Sequence, residues 1–184
     1  CEHIVSATGN FARKTGAMVG IDIPVIPVEH QYIVTEPHPA IQERQAQGLP
    51  EMGVLRESDG SWYMREENGG LLLGPYEVGA PVCYFDGPDE NSEYELFQED
   101  LERLMPHIES AIARVPAFAE VGVKKVYNGA IAYTPDGSPI VGPAWDLPNF
   151  WLNEGHSFGI TAAGGAGWQL AEWIVEGEPT IDMN

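Results

Sequence analysis

Phe150-Trp-Leu-Asn-Glu-Gly155-His-Ser-Phe-Gly159-Ile-Thr-Ala-Ala-Gly164-Gly165-Ala-Gly167 is the stretch that decides how the chain is read. An apolar run enters a glycine-bearing turn and continues into a segment rich in glycine and alanine. That order predicts a strand over Phe150–Asn153 and a final helix from about Gly159 to Val175. Ile160, Ala163, Gly167, Leu170, Ala171 and Ile174 recur at the spacing of a helix packing stripe. Backbone amides at such a helix start face an electronegative ligand, and small residues let that ligand approach closely. Close helix–sheet packing selects the same residues, so spacing leaves both readings open. G-x-G-x-x-G does not fit these glycines, so the stretch is not a dinucleotide fingerprint.

Working outward, a second strand–helix pair opens the chain. Ile4–Ala7 reads as a buried strand, and a helix follows from Asn10 to Val19 with Asn10 as its N-cap. Ile21–Glu36 reads as extended, because it is rich in β-branched residues and Pro24 and Pro27 forbid a helix. Pro37–Pro50 reads as a surface excursion. Strands are expected at Met52–Arg56, Ser61–Arg65 and Gly70–Tyr76, separated by Asp59-Gly60 and Asn68-Gly69-Gly70, which makes an antiparallel meander. Ser92-x-x-Glu95 has the form of a capping box opening a helix. The apolar positions of that helix are Leu101, Leu104, Met105, Ile108, Ile112 and Val115, with Pro106 as a kink or restart. From Val123 extended structure returns through Val126-Tyr127, Ile131–Tyr133 and Pro139–Val141. The order predicts an α+β chain in which a mostly antiparallel sheet lobe with helices is inserted between two strand–helix pieces of an α/β lobe.

Charge narrows the function. The 184 residues hold 9 Lys+Arg against 28 Asp+Glu, a formal net charge of −19. A field of that sign repels phosphates and anionic lipid, which excludes nucleic acid and membrane surfaces as expected partners. Eight acids and no Lys or Arg before Arg103 lie between residues 86 and 102. They read as the solvated face and first turn of the following helix, and they lack the spacing of a calcium loop. Cys1 and Cys83 form no CxxC, which argues against zinc and for a reducing compartment. A start at Cys1, already within an apolar strand pattern, reads as a piece of a longer protein.

Few residues are placed to do chemistry. His30 lies mid-strand in Pro27-Val-Glu-His-Gln-Tyr32, and Tyr63 lies in Ser61-Trp-Tyr-Met-Arg65. Each is either a packing residue or a catalyst, and neighbouring residues alone do not separate the two. Arg56 and Arg65 are the only cations between Arg44 and Arg103, so each is either an ion-pair partner or an anion anchor. Thr134-Pro-Asp-Gly-Ser-Pro139 reads as a turn between strands. Neither G-x-S-x-G nor H-E-x-x-H occurs, and no metal site is expected.

Taken together and in order, six segments resemble one family. They are Ile4-Val-Ser-Ala-Thr-Gly-Asn-Phe-Ala-Arg13, Ile26-Pro-Val-Glu-His-Gln-Tyr-Ile-Val-Thr35, Trp62-Tyr-Met-Arg-Glu66, Gly70-Leu-Leu-Leu-Gly-Pro-Tyr-Glu77, Thr134-Pro-Asp-Gly-Ser-Pro-Ile-Val-Gly142 and Gly155–Gly167. The chain resembles the dimethylglycine and sarcosine dehydrogenase group of the D-amino-acid-oxidase-type flavoproteins. The strings around His30 and Tyr76 look closer to dimethylglycine dehydrogenases.

The resemblance implies an FAD enzyme that oxidatively demethylates a small N-methyl amino acid, passing hydride to flavin N5. It assigns residues 1–20 and 129–184 to an FAD-binding domain and 21–128 to a substrate-binding sheet lobe. His30 and Tyr63 would be the active-site pair, with Arg56 and Arg65 as candidates for the substrate carboxylate. Phe11 and the run Gly155, His156, Ser157, Phe158, Gly159 and Ile160 would lie at the flavin. No Lys or Arg follows Lys125, so negative charge on the flavin would be met by backbone amides, helped by His156. The family's N-terminal dinucleotide-binding unit and its C-terminal tetrahydrofolate-binding region are not in this sequence. Little stable FAD binding by these 184 residues alone is therefore expected. The expected location is cytoplasmic, or the mitochondrial matrix in a eukaryote. Sarcosine as substrate, and a non-catalytic assembly module, are the competing readings. The electron acceptor is left open.

Overall fold

The computed structural model describes residues 1–183 and shows an α+β chain in two compact units. The first unit comprises Cys1–Val28, Pro81–Glu93 and the segment from Ala130 onward; the second comprises Glu29–Ala80 and Tyr94–Gly129. Among the described residues no helix is long and apolar enough to cross a membrane, and no three His, Cys, Asp or Glu side chains are grouped to hold a metal.

In the first unit, β1 (Ile4–Ser6) runs parallel to β8 (Phe150–Glu154), and β7 (Ile140–Pro143) runs antiparallel along the other side of β8. α1 (Ala12–Val19) and α4 (Gly159–Glu176) complete it. Ile23, Val25, Phe150 and Leu152 form the centre of its apolar core with Ala12, Ala132 and Ala144. Three expectations are corrected here. β1 is an edge strand, so Ile4 and Val5 are 43% and 47% exposed and only Ser6 is buried. Asn10 does not cap α1, because Gly9–Phe11 first form a 3₁₀ turn and the helix starts behind Phe11 with no side-chain cap. α4 buries Ala166, Gln169 and Leu170, while Ile160, Ala163, Gly167 and Ala171 are exposed. Packing of Trp173 sets that rotation: its ring stands edge-on to Trp151 at 6.2 Å and covers Gly142. A Cβ on Gly142 would sit 2.7 Å from the indole, and its φ of +142° also favours glycine.

A five-stranded sheet, most of it in the second unit, runs in the order β3-β4-β5-β2-β6, from β3 (Leu55–Glu57), β4 (Trp62–Glu67), β5 (Gly70–Pro75), β2 (Ile26–Thr35) and β6 (Val123–Tyr133). β3, β4 and β5 form the expected antiparallel meander, and β2 pairs antiparallel with β5. β6 is a single strand where two pieces were expected, and it begins at Val123 as expected. Pro37–Pro50 is not a plain excursion. It contains α2 (Pro39–Ala46), capped by His38 Nδ1 accepting from the Ala40 N–H at 3.2 Å, with Pro39 supplying the preset φ of a first turn.

The acidic run also departs from expectation. Ser92 and Glu95 open no helix; α3 (Leu101–Arg114) starts later, with Asp100 Oδ1 accepting from the Arg103 N–H at 3.1 Å. Upstream amides are engaged elsewhere, Phe97 N–H by the Asn128 carbonyl and Asp100 N–H by Gln31 Oε1, so a helical ladder cannot form there. α3 continues through Pro106 and buries Leu104 and Ala111, while Leu101 and Met105 are about half exposed.

Strand alternation then sorts the sheet. Trp62, Met64, Leu71, Leu73 and Ile33 pack with Leu104, Ala111 and Phe118 in one core. The intervening residues, Tyr63, Arg65, Leu72, Gly74, His30, Tyr32 and Val34, occupy the opposite face.

Candidate active site

Register brings the predicted residues of the second unit onto that opposite face. Arg56 pairs with Tyr63 and Tyr63 with Gly74 across β3, β4 and β5. β2 pairs with β5 at Ile33 with Leu73 and Val34 with Leu72, and further along β2 the His30 ring lies 6.0 Å from that of Tyr76. Gly74 has a steric reason to be glycine: the Tyr63 ring lies across it, and a Cβ there would be 2.5 Å from Tyr63 Oη and closer still to the ring carbons.

Tyr76, not anticipated as a site residue, links the group. Its ring centroid is 6.0 Å from that of His30 and 6.0 Å from that of Tyr63. Arg56 Nη1 donates to Tyr76 Oη at 3.2 Å, and the guanidinium lies 5.1 Å from the centre of the same ring. Arg65 is placed differently, since its Nη2 pairs with Glu67 at 2.7 Å. Arg56 has no ion-pair partner among the described residues.

Burial sets the protonation states. It pushes the His30 pKa below its ordinary value, with the Glu77 carboxylate opposing, so the imidazole is neutral at pH 7. Burial, reinforced by Tyr76, pushes the Tyr63 pKa up against the smaller effect of Arg65, so the phenol keeps its proton. The two side chains therefore offer a proton acceptor and a hydroxyl donor, each with its ring 6.0 Å from that of Tyr76.

A polar frame lies behind this face. Arg103 Nε donates to Glu77 Oε2 at 2.7 Å, and both its Nη atoms donate to Glu29 Oε2 at 3.1 and 3.2 Å. Glu77, 1% exposed, also accepts from the Gln31 backbone N–H at 2.8 Å and from Gln31 Nε2 at 2.9 Å. Asn128 Nδ2 adds a bond to Glu29 at 2.8 Å. For Arg103, burial acts to lower the pKa, and the bonds to Glu77 and Glu29 more than offset it.

Beside Tyr63, a cavity of about 460 Å³ opens over Leu72 and Val34, walled by Tyr32, Tyr127, Arg65 and Lys125. Tyr32 and Tyr127 stack at 4.8 Å, and Lys125 Nζ lies 4.3 Å from the Tyr127 ring centre.

In the first unit a second cavity, of about 250 Å³, collects the ends of β1 and β8 and the start of α4. It is lined by Ala7, Gly9, Asn153, Gly155, His156 and Gly159, among others. Glu154, fully buried, ties its walls together: its carboxylate accepts from Ser6 Oγ at 2.6 Å, Thr8 N–H at 2.8 Å, Thr8 Oγ1 at 2.9 Å and Gly9 N–H at 2.9 Å. His156 Nε2 lies 2.5 Å from Asn153 Oδ1, and its buried Nδ1 has no hydrogen-bond partner. Gly155, at φ +73°, packs against Thr134, and a Cβ at Gly164, Gly165 or Gly167 would meet nothing within 4 Å. Of the cofactor residues expected from sequence, Gly155, His156 and Gly159 line this cavity. Ser157, Phe158, Ile160 and Phe11 do not, Ile160 being fully exposed.

Comparison with known proteins gives these two sites a family. Residues 1–173 match the FAD dependent oxidoreductase (DAO) family. The chain belongs to the FAD-dependent oxidoreductases. Within that family it is 42% identical over 98% of its length to the mitochondrial dimethylglycine dehydrogenase of Homo sapiens, and 35% identical over 98% to the mitochondrial sarcosine dehydrogenase of Mus musculus. It spans 21% and 19% of those two proteins, about a fifth of each. The crystal structure of L-proline dehydrogenase from P. horikoshii superposes with a TM-score of 0.72 at 26% identity, covering 97% of this chain and 44% of that one. The residues of the first unit's cavity fit the flavin such a family uses: small walls leave room for a flat ring, and an unpartnered buried imidazole nitrogen is available to a ligand.

Tyr76, Arg103 and Glu154 were missed. Tyr76 follows Gly74 by two, which places it on the same sheet face as Gly74, and that parity was the signal available. Arg103 was the first cation after the acidic run, a charge with carboxylates in surplus around it. Glu154 was visible only as an acid ending an apolar strand.

Proposed function

We propose that the chain is the substrate-binding part, with a portion of the cofactor site, of an FAD enzyme that oxidatively demethylates an N-methyl amino acid, dimethylglycine first. The second unit would hold the substrate and the first unit the flavin. The observation that carries this reading is the convergence of His30, Tyr63, Tyr76 and Arg56 on one sheet face, in a chain 42% identical to a dimethylglycine dehydrogenase.

FAD, when bound, supplies the hydride acceptor. Everything else falls to side chains. A tertiary amine is protonated in water and reacts only as the free base, so a neutral imidazole beside it is the group that takes the proton. His30 has that state at pH 7. Tyr63 and Tyr76 orient the amine by hydroxyl hydrogen bonds while their rings exclude water. Arg56, whose charge meets no carboxylate of its own, is suited to the substrate carboxylate, against the repulsive field of a chain at −19. Arg65 is the weaker candidate because Glu67 already neutralises it. His156 and the amides that open α4 would hold the flavin.

The test is anaerobic flavin reduction in the longer protein that carries this chain, offered dimethylglycine, sarcosine and betaine in turn. Reduction by dimethylglycine faster than by sarcosine, with none by betaine, supports the reading. Equal rates in the wild type and His30→Ala would remove it in favour of a non-catalytic module.

A further inference from the structure

His30 is held from behind. Its neighbours in β2, Glu29 and Gln31, point to the covered side of the sheet by strand alternation, and both end at Arg103 of α3. Glu29 meets Arg103 directly at 3.1 Å. Gln31 meets it through Glu77, which binds the Gln31 backbone N–H at 2.8 Å, the Gln31 amide at 2.9 Å and Arg103 Nε at 2.7 Å. Glu77 is also the residue after Tyr76. One guanidinium thus fixes the residues on both sides of His30 and the residue next to Tyr76, the two rings that face each other at 6.0 Å.

The chemistry of the frame favours a geometric role. Glu77 is almost fully buried and Glu29 is 21% exposed, so the two carboxylates would repel if the cation between them were removed. Buried ion clusters of this kind add little stability over an apolar replacement, but they fix one arrangement by direction and distance. Arg is the residue that can bridge two carboxylates through separate nitrogens of one planar group; Lys offers a single ammonium.

We propose that Arg103 is a positioning residue for the demethylation, holding the β2 segment and the end of β5 so that His30 and Tyr76 address the same substrate. This rests on the reading of His30 given above. A misplacement of about 1 Å at a reacting group costs on the order of 10²-fold in rate. Arg103→Lys should therefore lower the limiting rate of flavin reduction by dimethylglycine by about 10- to 100-fold, with the dissociation constant for dimethylglycine changed less than about twofold.

The decisive experiment is a double-mutant cycle in the full-length flavoprotein. His30→Ala should be slow, and adding Arg103→Lys to it should cost clearly less than the factor it costs alone, because one of the two positioned groups is already gone. A slow His30→Ala on which Arg103→Lys multiplies its full factor would overturn the proposal alone. So would an unchanged limiting rate in Arg103→Lys. An undiminished rate in His30→Ala would overturn the reading of His30, and the proposal with it. If the lysine variant does not fold, Arg103→Ala with free guanidinium in solution replaces it. Recovery of the rate with guanidinium supports positioning, and no recovery in a folded, flavin-loaded protein counts against it.

Discussion

Gly74→Ala tests whether the Tyr63 ring is held by the sheet beneath it. The added methyl would lie 2.5 Å from Tyr63 Oη and nearer to two ring carbons, far inside contact distance, so the ring must leave. Overpacking of this kind costs about 1–3 kcal/mol, and replacing a strand glycine returns about 0.5–1 kcal/mol of backbone entropy. The net loss should be about 1–2 kcal/mol, or roughly 2–8 °C in melting temperature for a chain of this size. The same substitution in a Tyr63→Ala background meets no ring and should be neutral or stabilising by up to about 1 kcal/mol. Urea unfolding of the four proteins of this cycle measures the coupling directly. Flavin reduction should fall at least about tenfold in Gly74→Ala, comparably to Tyr63→Ala. An equal stability cost in both backgrounds would refute the steric argument. Full activity in Gly74→Ala would refute the placement of Tyr63 as a requirement of the reaction.

His30, neutral because burial lowers its pKa, makes acid destabilising: the unfolded chain binds its proton below about pH 6.5 while the folded one resists. Stability should fall as pH drops through the unfolded pKa and stop falling below the folded one. An NMR titration that places His30 at or above about 6.5 would contradict this. Arg56→Met should raise the KM for dimethylglycine about tenfold or more, while Arg65→Met, already neutralised by Glu67, should change it less than about threefold; steady-state kinetics of both would show whether the order is reversed. Ser110→Ala strips the fully buried Trp62 indole N–H of its 3.0 Å acceptor and should cost about 1–3 kcal/mol in urea unfolding. Glu154→Ala removes one hydrogen bond from Ser6 at the end of β1 and three from the loop that follows, and amide exchange at Thr8 and Gly9 should accelerate at least about tenfold; unchanged protection there would show that the carboxylate does not hold the loop.

The meander from β3 to β5 was legible because period-2 alternation and two glycine turns coincide within 22 residues, 55–76. α2 was not, because Pro39 and two further prolines disguise a helix whose start depends on a histidine side chain turning back onto the backbone. The acidic run misled for a related reason. Ser92 and Glu95 have the right letters for a cap, but the amides after them are taken by Asn128 and Gln31, residues 31 and 69 positions away from their partners Phe97 and Asp100. On the active face, His30 and Tyr63 were found through resemblance. Their union through Tyr76, and the distinction between Arg56 and Arg65, needed the register of three strands and the position of Glu67. Nothing in local sequence says which carboxylate an arginine will meet.

β4 carries Trp62, Met64 and Glu66 on one side and Tyr63, Arg65 and Glu67 on the other. The interleaving separates two kinds of selection along one six-residue segment. Substitutions at odd positions can retune the chemistry of the open face without reopening the core, and substitutions at even positions can be screened for folding alone. Lineages diverging from this scaffold are free to explore new substrates in steps of two, whereas an insertion or deletion of one residue in β4 would exchange the two sets and lose both together.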